Sequence, residues 1–487
     1  MTPASDRFGD LIIVIPGILG SRLVRPGPDG DETVWDLSLR TLPRVLKRAT
    51  TGGLALSSSQ GKPNDGIVAR ELFRDQLMPG FFGVDDYRPL LAALSAVVPT
   101  PAQLRTFPYD WRGSNRHAAQ ALADFAQPAL HDWSHSSGNK EARLWLVCHS
   151  MGGLVARYFC EHLGGAAITR ELVTFGTPYR GAMKALDKLV NGFSLAGGLV
   201  DLSATVRSLP SAYELLPLYP AVRVAGPADQ AVMRSVADFF DLDHRTGAPA
   251  QRRSGLAPLP HLDPRAVRDA LEFHACIRVP AEARQAAGIP SPYRLRAFIN
   301  NRQVTATAGY WRDGRLAVLD TLAQATHGAV WQQDLRGDGT VPSFAALPIE
   351  WGDSAQAIAL PGKHAAAHTD QAGLDSLVNW LRPMDVRALR GGTPAPGKIV
   401  ALQVPAALRT DDRLVVRISS GEPVGMKIAI ADVATGIPRA RPAQTEGGDA
   451  VAEVDFGRLT EGTWQVTVQP VDRLLPRISD HVVVIGD

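Results

Sequence analysis

The sequence is poor in cysteine, nearly neutral and without a long apolar run, and each shortage excludes a class of protein. Its 487 residues include three cysteines, Cys148, Cys160 and Cys276. Their sparse spacing predicts neither a disulfide framework nor a metal site, although one bridge remains open. The 51 basic residues nearly balance the 49 acidic ones, for a net charge of +2. A nucleic-acid partner is therefore not expected, because phosphate binding needs a concentrated basic face.

The N-terminus also lacks the features of a secretory leader. Residues 1–10 lead at once into the apolar run Leu11–Ile15, without a basic start, a longer apolar stretch or a small-residue cleavage site. No window of the sequence approaches the ~20 apolar residues that a membrane helix needs. We therefore expect a cytoplasmic protein that contacts a membrane at most peripherally.

Runs of strand length alternate with helical patterns before Met384. The predicted strands are Leu11–Ile15, Leu144–Cys148, Leu172–Phe175, Leu295–Ile299 and Ala355–Leu360. The predicted helices are Tyr87–Val97, His117–Phe125, Gly153–Leu163 and Gln371–Leu381. Continuous apolar runs suit strands that are buried on both faces, and the alternation predicts an α/β fold with a mostly parallel sheet.

Two stretches interrupt this alternation. Residues 21–86 are long and irregular, and residues 179–292 combine helical patterns with many prolines and no strong buried strand. Long insertions of this kind are often lids or substrate pockets. We predict a lid-like excursion at 21–86 and a helical cap at 179–292.

The pattern changes again after Met384. The segment Gly391–Gly397 has the composition of a linker. Short alternating runs follow at Lys398–Val404, Arg413–Ser419, Met426–Ala431, Val451–Phe456, Thr463–Val468 and His481–Ile485. This spacing predicts an immunoglobulin-like β-sandwich. Because a single core rarely exceeds roughly 250–300 residues, we divide the chain into an α/β domain at 1–386, a linker at 387–397 and a sandwich at 398–487.

The strongest local motif is Leu146–Gly153, in which a strand ends at Cys148, Ser150 follows and a helix begins near Gly152. This order predicts a nucleophile elbow with Ser150 as the nucleophile. Glycine at 152 suits the strained turn, whereas Cys148 stands where glycine is usual. The helix N-terminus points its dipole at the serine, and the amide of Met151 is the predicted oxyanion donor. The alternative is that the serine only caps a helix.

A serine nucleophile needs a general base and an acid that orients the base. In hydrolases with such an elbow, the chain order is serine, acid, histidine. Asp338 lies in a glycine-flanked turn, and His364 follows the last predicted strand. They are the predicted acid and base. Asp334 and His368, each four residues away, remain the alternatives. His149, beside the serine, is expected to support the site rather than react.

A second oxyanion donor is expected from the loop after an early strand. The strand Leu11–Ile15 runs into Pro16–Gly20, whose glycines let the main chain approach a substrate closely. The amide of Ile18 is the predicted donor.

These residues resemble the lecithin:cholesterol acyltransferase family, which includes the lysosomal phospholipase and many bacterial lipase-like proteins. The matching motifs are Pro16–Ser21, Val34–Asp36, Pro108–Arg112, His149–Gly152, Gly176–Pro178 with Gly181, Gly337–Pro342 and His364. They stand in the family's order over roughly residues 10–382. The most specific is Pro-Tyr-Asp-Trp-Arg at 108–112, because unrelated hydrolases share the elbow alone.

The resemblance implies an α/β-hydrolase fold with Ser150, Asp338 and His364 as a triad and the amides of Ile18 and Met151 as the oxyanion hole. Family members cleave an acyl ester of a lipid, most often a phospholipid, and some transfer the acyl group to an alcohol. The chain departs from the family in three respects. It has no visible leader, no cysteine pair to close the lid loop, and a C-terminal sandwich that the animal enzymes lack.

Three aromatic residues are candidates for contact with substrate. Trp35 stands where relatives have a lid loop near the acyl site. Phe81 and Phe82 lie in the glycine-flanked segment Met78–Gly83, and they either line an acyl channel or belong to the core.

The sequence therefore predicts a serine hydrolase that cleaves lipid acyl esters through an acyl-enzyme and needs no metal or organic cofactor. One alternative is an acyltransferase, or a carboxylesterase or thioesterase for non-lipid substrates, with the same triad. The other is a non-catalytic scaffold that binds a membrane or a protein. The C-terminal sandwich is a candidate site for a protein partner or a lipid surface.

Overall fold

A computed structural model of the chain describes most of its residues. The described ranges are 8–36, 53–56, 63–73, 86–195, 200–225, 231–251, 253–312, 314–318, 335–351, 357–381, 400–405, 407–420, 425–432, 438–444, 450–471 and 478–485. The predicted linker at 387–397, the pair Phe81 and Phe82, and the alternative acid Asp334 lie outside the described residues.

The described chain contains both strands and helices up to residue 381 and strands beyond it. The strands are β1 (Leu11–Ile15), β2 (Ser21–Arg25), β3 (Glu32–Trp35), β4 (Val68–Leu72), β5 (Leu104–Thr106), β6 (Leu144–His149), β7 (Thr169–Phe175), β8 (Ser194–Leu195), β9 (Val200–Asp201), β10 (Val222–Ala225), β11 (Ala231–Arg234), β12 (Arg294–Asn300), β13 (Gln303–Val304), β14 (Gly309–Arg312), β15 (Arg315–Val318), β16 (Arg336–Gly337), β17 (Ile358–Leu360), β18 (Val400–Gln403), β19 (Ala407–Arg409), β20 (Arg413–Ser420), β21 (Gly425–Asp432), β22 (Pro438–Gln444), β23 (Ala450–Arg458), β24 (Gly462–Pro470) and β25 (Ile478–Ile485). The α-helices are α1 (Arg88–Ser95), α2 (Asn115–Ser137), α3 (Gly152–His162), α4 (Met183–Asn191), α5 (Ser203–Arg207), α6 (Pro210–Tyr213), α7 (Pro264–Ala286) and α8 (Gln371–Leu381). Short 3₁₀ helices occupy Pro101–Gln103, Gly165–Ala167, Ala237–Phe240, Ser343–Ala346 and His364–Thr369. Within the described ranges, every helix is too short or too polar to span a membrane.

A six-stranded parallel sheet lies at the centre of the N-terminal part. Its strand order is β17-β12-β7-β6-β1-β5, and each pair of neighbours is parallel. Every residue of Leu11–Ile15 and of Leu144–His149 is buried, as expected for apolar strands of a parallel sheet whose two faces are covered. Because the strands are parallel, their carboxyl ends meet at one edge, where open α/β sheets bind ligands.

The sheet and its helices have the architecture of an α/β-hydrolase, as predicted. All five predicted strands and all four predicted helices of this part are present, with different bounds at several ends. Helix α2 is the largest difference, because it continues past Pro128 to a left-handed C-cap at Gly138. The edge strand β5 has three residues and was not predicted, because so short a run carries no periodicity. All three cysteines are free thiols.

The described part of the lid-like excursion forms a small antiparallel sheet of order β3-β2-β4. Polar contacts join it to the segment after β5. The Trp111 indole donates to Ser21 O at 3.2 Å. The Arg112 guanidinium donates to Asp110 Oδ1 at 2.9 Å and to Asp65 Oδ2 at 2.7 Å. Arg112 is fully buried, and two carboxylates compensate its charge, as a buried cation requires.

The segment predicted as a helical cap contains short strands as well as helices. Strand β10 pairs with β11 in antiparallel fashion and with β14, from outside the segment, in parallel. The resulting four-stranded sheet has the order β11-β10-β14-β15. Each strand has four residues, and β10 pairs with a strand far along the chain. The local sequence periodicity therefore does not indicate these strands.

A buried carboxylate fixes this cap to helix α2. Glu214 follows α6 and is buried. Its carboxylate accepts hydrogen bonds from Ser114 Oγ and from the Asn115 amide, the latter at 2.7 Å, at the start of α2. Its main-chain carbonyl accepts from His274 Nε2 at 2.7 Å. Burial raises the pKa of Glu214 to about 7, against the opposing effect of the bonds from Ser114 and Asn115.

Glu214→Gln is expected to remove a pH dependence of stability. Because the folded pKa is raised from 4.5 to about 7, the folded state keeps a proton that the unfolded chain releases. This contribution is complete below pH 4.5 and is lost as the pH rises through about 7. The shift corresponds to about 3 kcal/mol of unfolding free energy. Denaturant unfolding of both proteins across this range measures it, and a wild-type-minus-variant difference that stays constant with pH would contradict it.

Beyond residue 400, the described chain forms two sheets, of order β18-β20-β23 and β19-β25-β24-β21-β22. All their neighbouring strands are antiparallel except β19 and β25. Alternate residues from both sheets belong to one apolar cluster, which includes Leu414, Val416 and Ile418 of β20, Ile428 and Ile430 of β21, and Val466 and Val468 of β24. The six predicted runs are all strands, and β19 and β22 are additional.

Candidate active site

The carboxyl edge of the central sheet gathers the three residues that are predicted to react. Ser150 directly follows β6, and His364 begins the 3₁₀ helix after β17. Asp338 follows β16, which lies beside the end of β12. All three residues are buried, with exposed fractions of 3% for Ser150, 2% for His364 and 2% for Asp338. The parallel sheet therefore brings together groups that lie far apart in the sequence.

These three side chains form a continuous chain of hydrogen bonds. Ser150 Oγ lies 2.8 Å from His364 Nε2, and His364 Nδ1 lies 2.6 Å from Asp338 Oδ2. The other carboxylate oxygen, Oδ1, accepts from the amides of Thr340 and Val341 at 2.8 and 2.6 Å. These amides hold the carboxylate so that Oδ2 faces His364 Nδ1. The carboxylate therefore favours the His364 tautomer that carries its hydrogen on Nδ1. Nε2 then carries the lone pair that faces the serine, the arrangement needed to accept its proton.

The alternative base occupies a different place. His368 lies in the same 3₁₀ helix as His364, but its ring stacks on Tyr87 with the centroids 4.4 Å apart. The loop of His364 is also joined to the acid through its main chain, because the His364 amide donates to Asp338 O at 2.8 Å. It is therefore His364 that the structure brings to Ser150.

Ser150 lies in a strained turn. Its φ angle is 50°, in the left-handed region that residues other than glycine rarely adopt. Its amide donates to Phe175 O, and its carbonyl accepts from Thr177 Oγ1, both at 2.8 Å. Helix α3 begins two residues later at Gly152. This strand–turn–helix geometry places the serine at a helix N-terminus, as in a nucleophile elbow.

A methyl group at position 152 does not fit this turn. A Cβ there would lie 2.4 Å from Pro16 O and 2.7 Å from Ile15 O, and both are main-chain atoms. Gly152→Ala is therefore expected to lower the free energy of unfolding by about 1–3 kcal/mol. Gly425→Ala is the control, because its Cβ would meet nothing closer than 3.6 Å. Denaturant unfolding compares the two variants, and equal stability would count against the close packing described.

The loop Pro16–Gly20 lies directly against the serine. A Cβ added to Gly17 would be 2.9 Å from Ser150 Cβ, so only glycine permits this approach. The neighbouring Ile18 is buried, and it follows β1 at the same edge of the sheet where Met151 follows β6. That their amides donate to an oxyanion stays a prediction.

A buried polar network under this loop was not predicted as such. The Gly17 amide donates to Tyr87 Oη at 2.9 Å, and this hydroxyl donates to His149 Nδ1 at 3.0 Å. His149 Nε2 then carries the hydrogen and donates to His364 O at 3.1 Å. Burial, followed by the nearby His368 and His364, holds the pKa of His149 well below its ordinary value, so this ring is neutral. The network ties the Pro16–Gly20 loop to the loop of His364, and only the position of His149 beside Ser150 indicated it in the sequence.

Of the aromatic candidates for substrate contact, the structure describes Trp35. Its ring lies edge-on to Trp111, with the centroids 5.1 Å apart, and its indole donates to Leu19 O at 3.1 Å. Leu19 has a φ of 65°, so Trp35 braces a strained part of the Pro16–Gly20 loop. Its contact with substrate stays a prediction, as do those of Phe81 and Phe82.

The six parallel strands and the strand–turn–helix at Ser150 define the class as α/β-hydrolase. Residues 84–238 match the family model of lecithin:cholesterol acyltransferase, which confirms the resemblance inferred from the motifs. The matched range includes Ser150, whereas Asp338 and His364 follow it. No curated protein matches the chain.

Three solved structures show a distant likeness. A Bacillus licheniformis lipase, BlEst2 in its propeptide form, is 12% identical, with 95% of this chain and 72% of that chain covered and a TM-score of 0.33. The phospholipase PlaB from Legionella pneumophila is 11% identical, with coverage of 98% and 92% and a TM-score of 0.28. The product of the gene lin2722 from Listeria innocua is 11% identical, with coverage of 78% and 96% and a TM-score of 0.29.

Proposed function

We propose that the protein is a serine hydrolase that cleaves acyl esters of lipids. The observation that carries the proposal is the hydrogen-bond chain from Ser150 Oγ through His364 to Asp338. The match of residues 84–238 to a family named for acyl transfer between lipids supports the choice of substrate class.

In the proposed reaction, Ser150 Oγ attacks the acyl carbonyl carbon while its proton passes to His364 Nε2. Asp338 stabilises the resulting imidazolium through the hydrogen on Nδ1. The amides of Ile18 and Met151 donate to the oxyanion of the tetrahedral intermediate. His364 returns the proton to the leaving alcohol, and water that is activated by the same histidine then hydrolyses the acyl-enzyme.

A second candidate function is transfer of the acyl group to an alcohol, which the name of the matched family favours. It uses the same acyl-enzyme and differs in the acceptor alone. A third candidate, a carboxylesterase or thioesterase for non-lipid substrates, shares the triad as well. The acceptor and the acyl pocket, rather than the triad, distinguish the three.

We also propose that residues 398–487 form a β-sandwich domain, separate from an α/β domain at 1–386. The support is the apolar cluster to which both C-terminal sheets contribute, for example through Val416 of β20 and Val466 of β24. Two sheets that face each other across such a cluster are the basis of a sandwich.

Product analysis by mass spectrometry tests the proposed function. The full-length protein is incubated with phospholipids, neutral glycerides and short p-nitrophenyl esters, with and without a lipid alcohol. Free fatty acid with lysophospholipid supports a phospholipase, and an acylated alcohol supports a transferase. Cleavage of the short esters alone would remove the lipid part of the proposal. No turnover together with no fluorophosphonate labelling of Ser150 would leave the non-catalytic scaffold as the better explanation.

A further inference from the structure

The loop that carries His364 is held by the end of the central sheet. Asn300 Nδ2, at the end of β12, donates to Gly362 O at 3.0 Å. Gln303 Nε2, at the start of β13, lies 3.5 Å from Pro361 O. These two contacts hold the main chain of Pro361 and Gly362, which precede Lys363, against the α/β part.

Lys363, which immediately precedes His364, extends to the C-terminal sheets. Its Nζ lies 2.6 Å from Asp480 Oδ2 in β25 and donates to Leu402 O in β18 at 3.1 Å. Strand β18 belongs to the three-stranded sheet and β25 to the five-stranded one, so a single side chain contacts both. Strand β18 also packs against β13, which holds the other side of the same loop.

The ion pair between Lys363 and Asp480 is expected to add little to the overall stability of the protein. The side chains of Lys363 and Asp480 are 15% and 31% exposed, and ion pairs that are open to water contribute little to stability. The position of the pair gives a stronger reason for the contact. His364 must keep Nε2 at 2.8 Å from Ser150 Oγ and Nδ1 at 2.6 Å from Asp338 Oδ2. A misplacement of about 1 Å at such a centre can cost about 100-fold in rate.

We propose that the C-terminal sheets position the loop of the catalytic base, and that Lys363 and Asp480 are the positioning residues. Lys363 bonds to Asp480 and to Leu402 O, so the pair acts on the base through the main chain next to His364. The inference rests on the proposed function, because it requires His364 to act as the base. It gives the C-terminal sheets a part in the reaction itself, in addition to any partner that they bind.

Asp480→Asn in the full-length protein tests the inference, because it keeps the side-chain shape and removes the charge that faces Lys363. We expect kcat for a short p-nitrophenyl ester to fall about 10-fold with KM within about twofold, since a displaced base affects the transition state and not the acyl pocket. Asp480→Glu is expected to restore most of the rate. Lys363→Met should match Asp480→Asn, and the double variant should be no worse than either, as for a pair acting as one unit.

The matched control is Glu453→Gln, which removes an exposed pair with Arg417 at 2.6 Å within the C-terminal sheets. Its kcat is expected to stay at the wild-type value, and all variants should keep the wild-type midpoint of denaturant unfolding, because exposed ion pairs contribute little to stability. An Asp480→Asn enzyme with unchanged kcat would overturn the inference, as would an equal loss in Glu453→Gln. A wild-type protein that neither turns over esters nor labels with a fluorophosphonate would instead overturn the proposed function, and the positioning role with it.

Discussion

Ser150→Ala is expected to lower ester hydrolysis by about 10⁵–10⁶-fold, as loss of the nucleophile does in triad hydrolases. Ser150 Oγ is the atom that faces His364 Nε2 at 2.8 Å, and alanine removes that atom alone. The fold should be retained, because the Ser150 amide keeps its bond to Phe175 O and a methyl group occupies the same space. Release of p-nitrophenol and labelling with a fluorophosphonate measure the loss, and circular dichroism checks the fold.

Ser211→Ala is the matched control for this experiment. Ser211 is also fully buried, and its hydroxyl donates to Arg112 O at 3.4 Å, so its removal makes the same chemical change away from the triad. Activity and labelling are expected to stay at wild-type values. Turnover by Ser150→Ala above about one hundredth of wild type would show that another group performs the attack.

The sequence was most informative where local pattern decides structure. Leu11–Ile15 is apolar throughout, and β1 has those bounds. Gln371–Leu381 has a clear helical period, and α8 has those bounds as well. A serine between a buried strand and a helix is a local feature too, so Ser150 was identifiable. Asp338 and His364 required in addition the fixed chain order of such hydrolases.

Contacts between distant segments were beyond the reach of local pattern. Tyr87 and His149 are 62 residues apart, and Lys363 and Asp480 are 117 apart. Nothing in the sequence around Tyr87 or Asp480 distinguishes it from any surface tyrosine or aspartate. Helix α2 shows a related limit, because its buried face continues beyond Pro128, to Leu130, where a proline would be expected to end it. Tertiary packing there outweighs local propensity.

Asp338→Asn is expected to lower kcat by about 10⁴-fold while the protein stays folded. The amide oxygen of asparagine can still accept from Thr340 and Val341, as Asp338 Oδ1 does. Its NH₂ group then faces His364 Nδ1, and because NH₂ donates, Nδ1 must accept. The ring hydrogen therefore moves to Nε2, which donates to Ser150 Oγ instead of taking its proton. Steady-state kinetics with a p-nitrophenyl ester measure the loss.

Asp334→Asn makes the same chemical change four residues earlier and so separates the two candidate acids. We expect it to keep wild-type kcat, because His364 Nδ1 is engaged by Asp338 Oδ2 at 2.6 Å. The reverse outcome is a large loss of activity in Asp334→Asn with normal activity in Asp338→Asn. It would show that Asp334 is the acid and that Asp338 is only a turn residue. Fluorophosphonate labelling adds a second readout, because a histidine in the wrong tautomer also slows attack on phosphorus. A slow label in Asp338→Asn with a normal label in Asp334→Asn would therefore locate the defect at the base rather than in substrate binding.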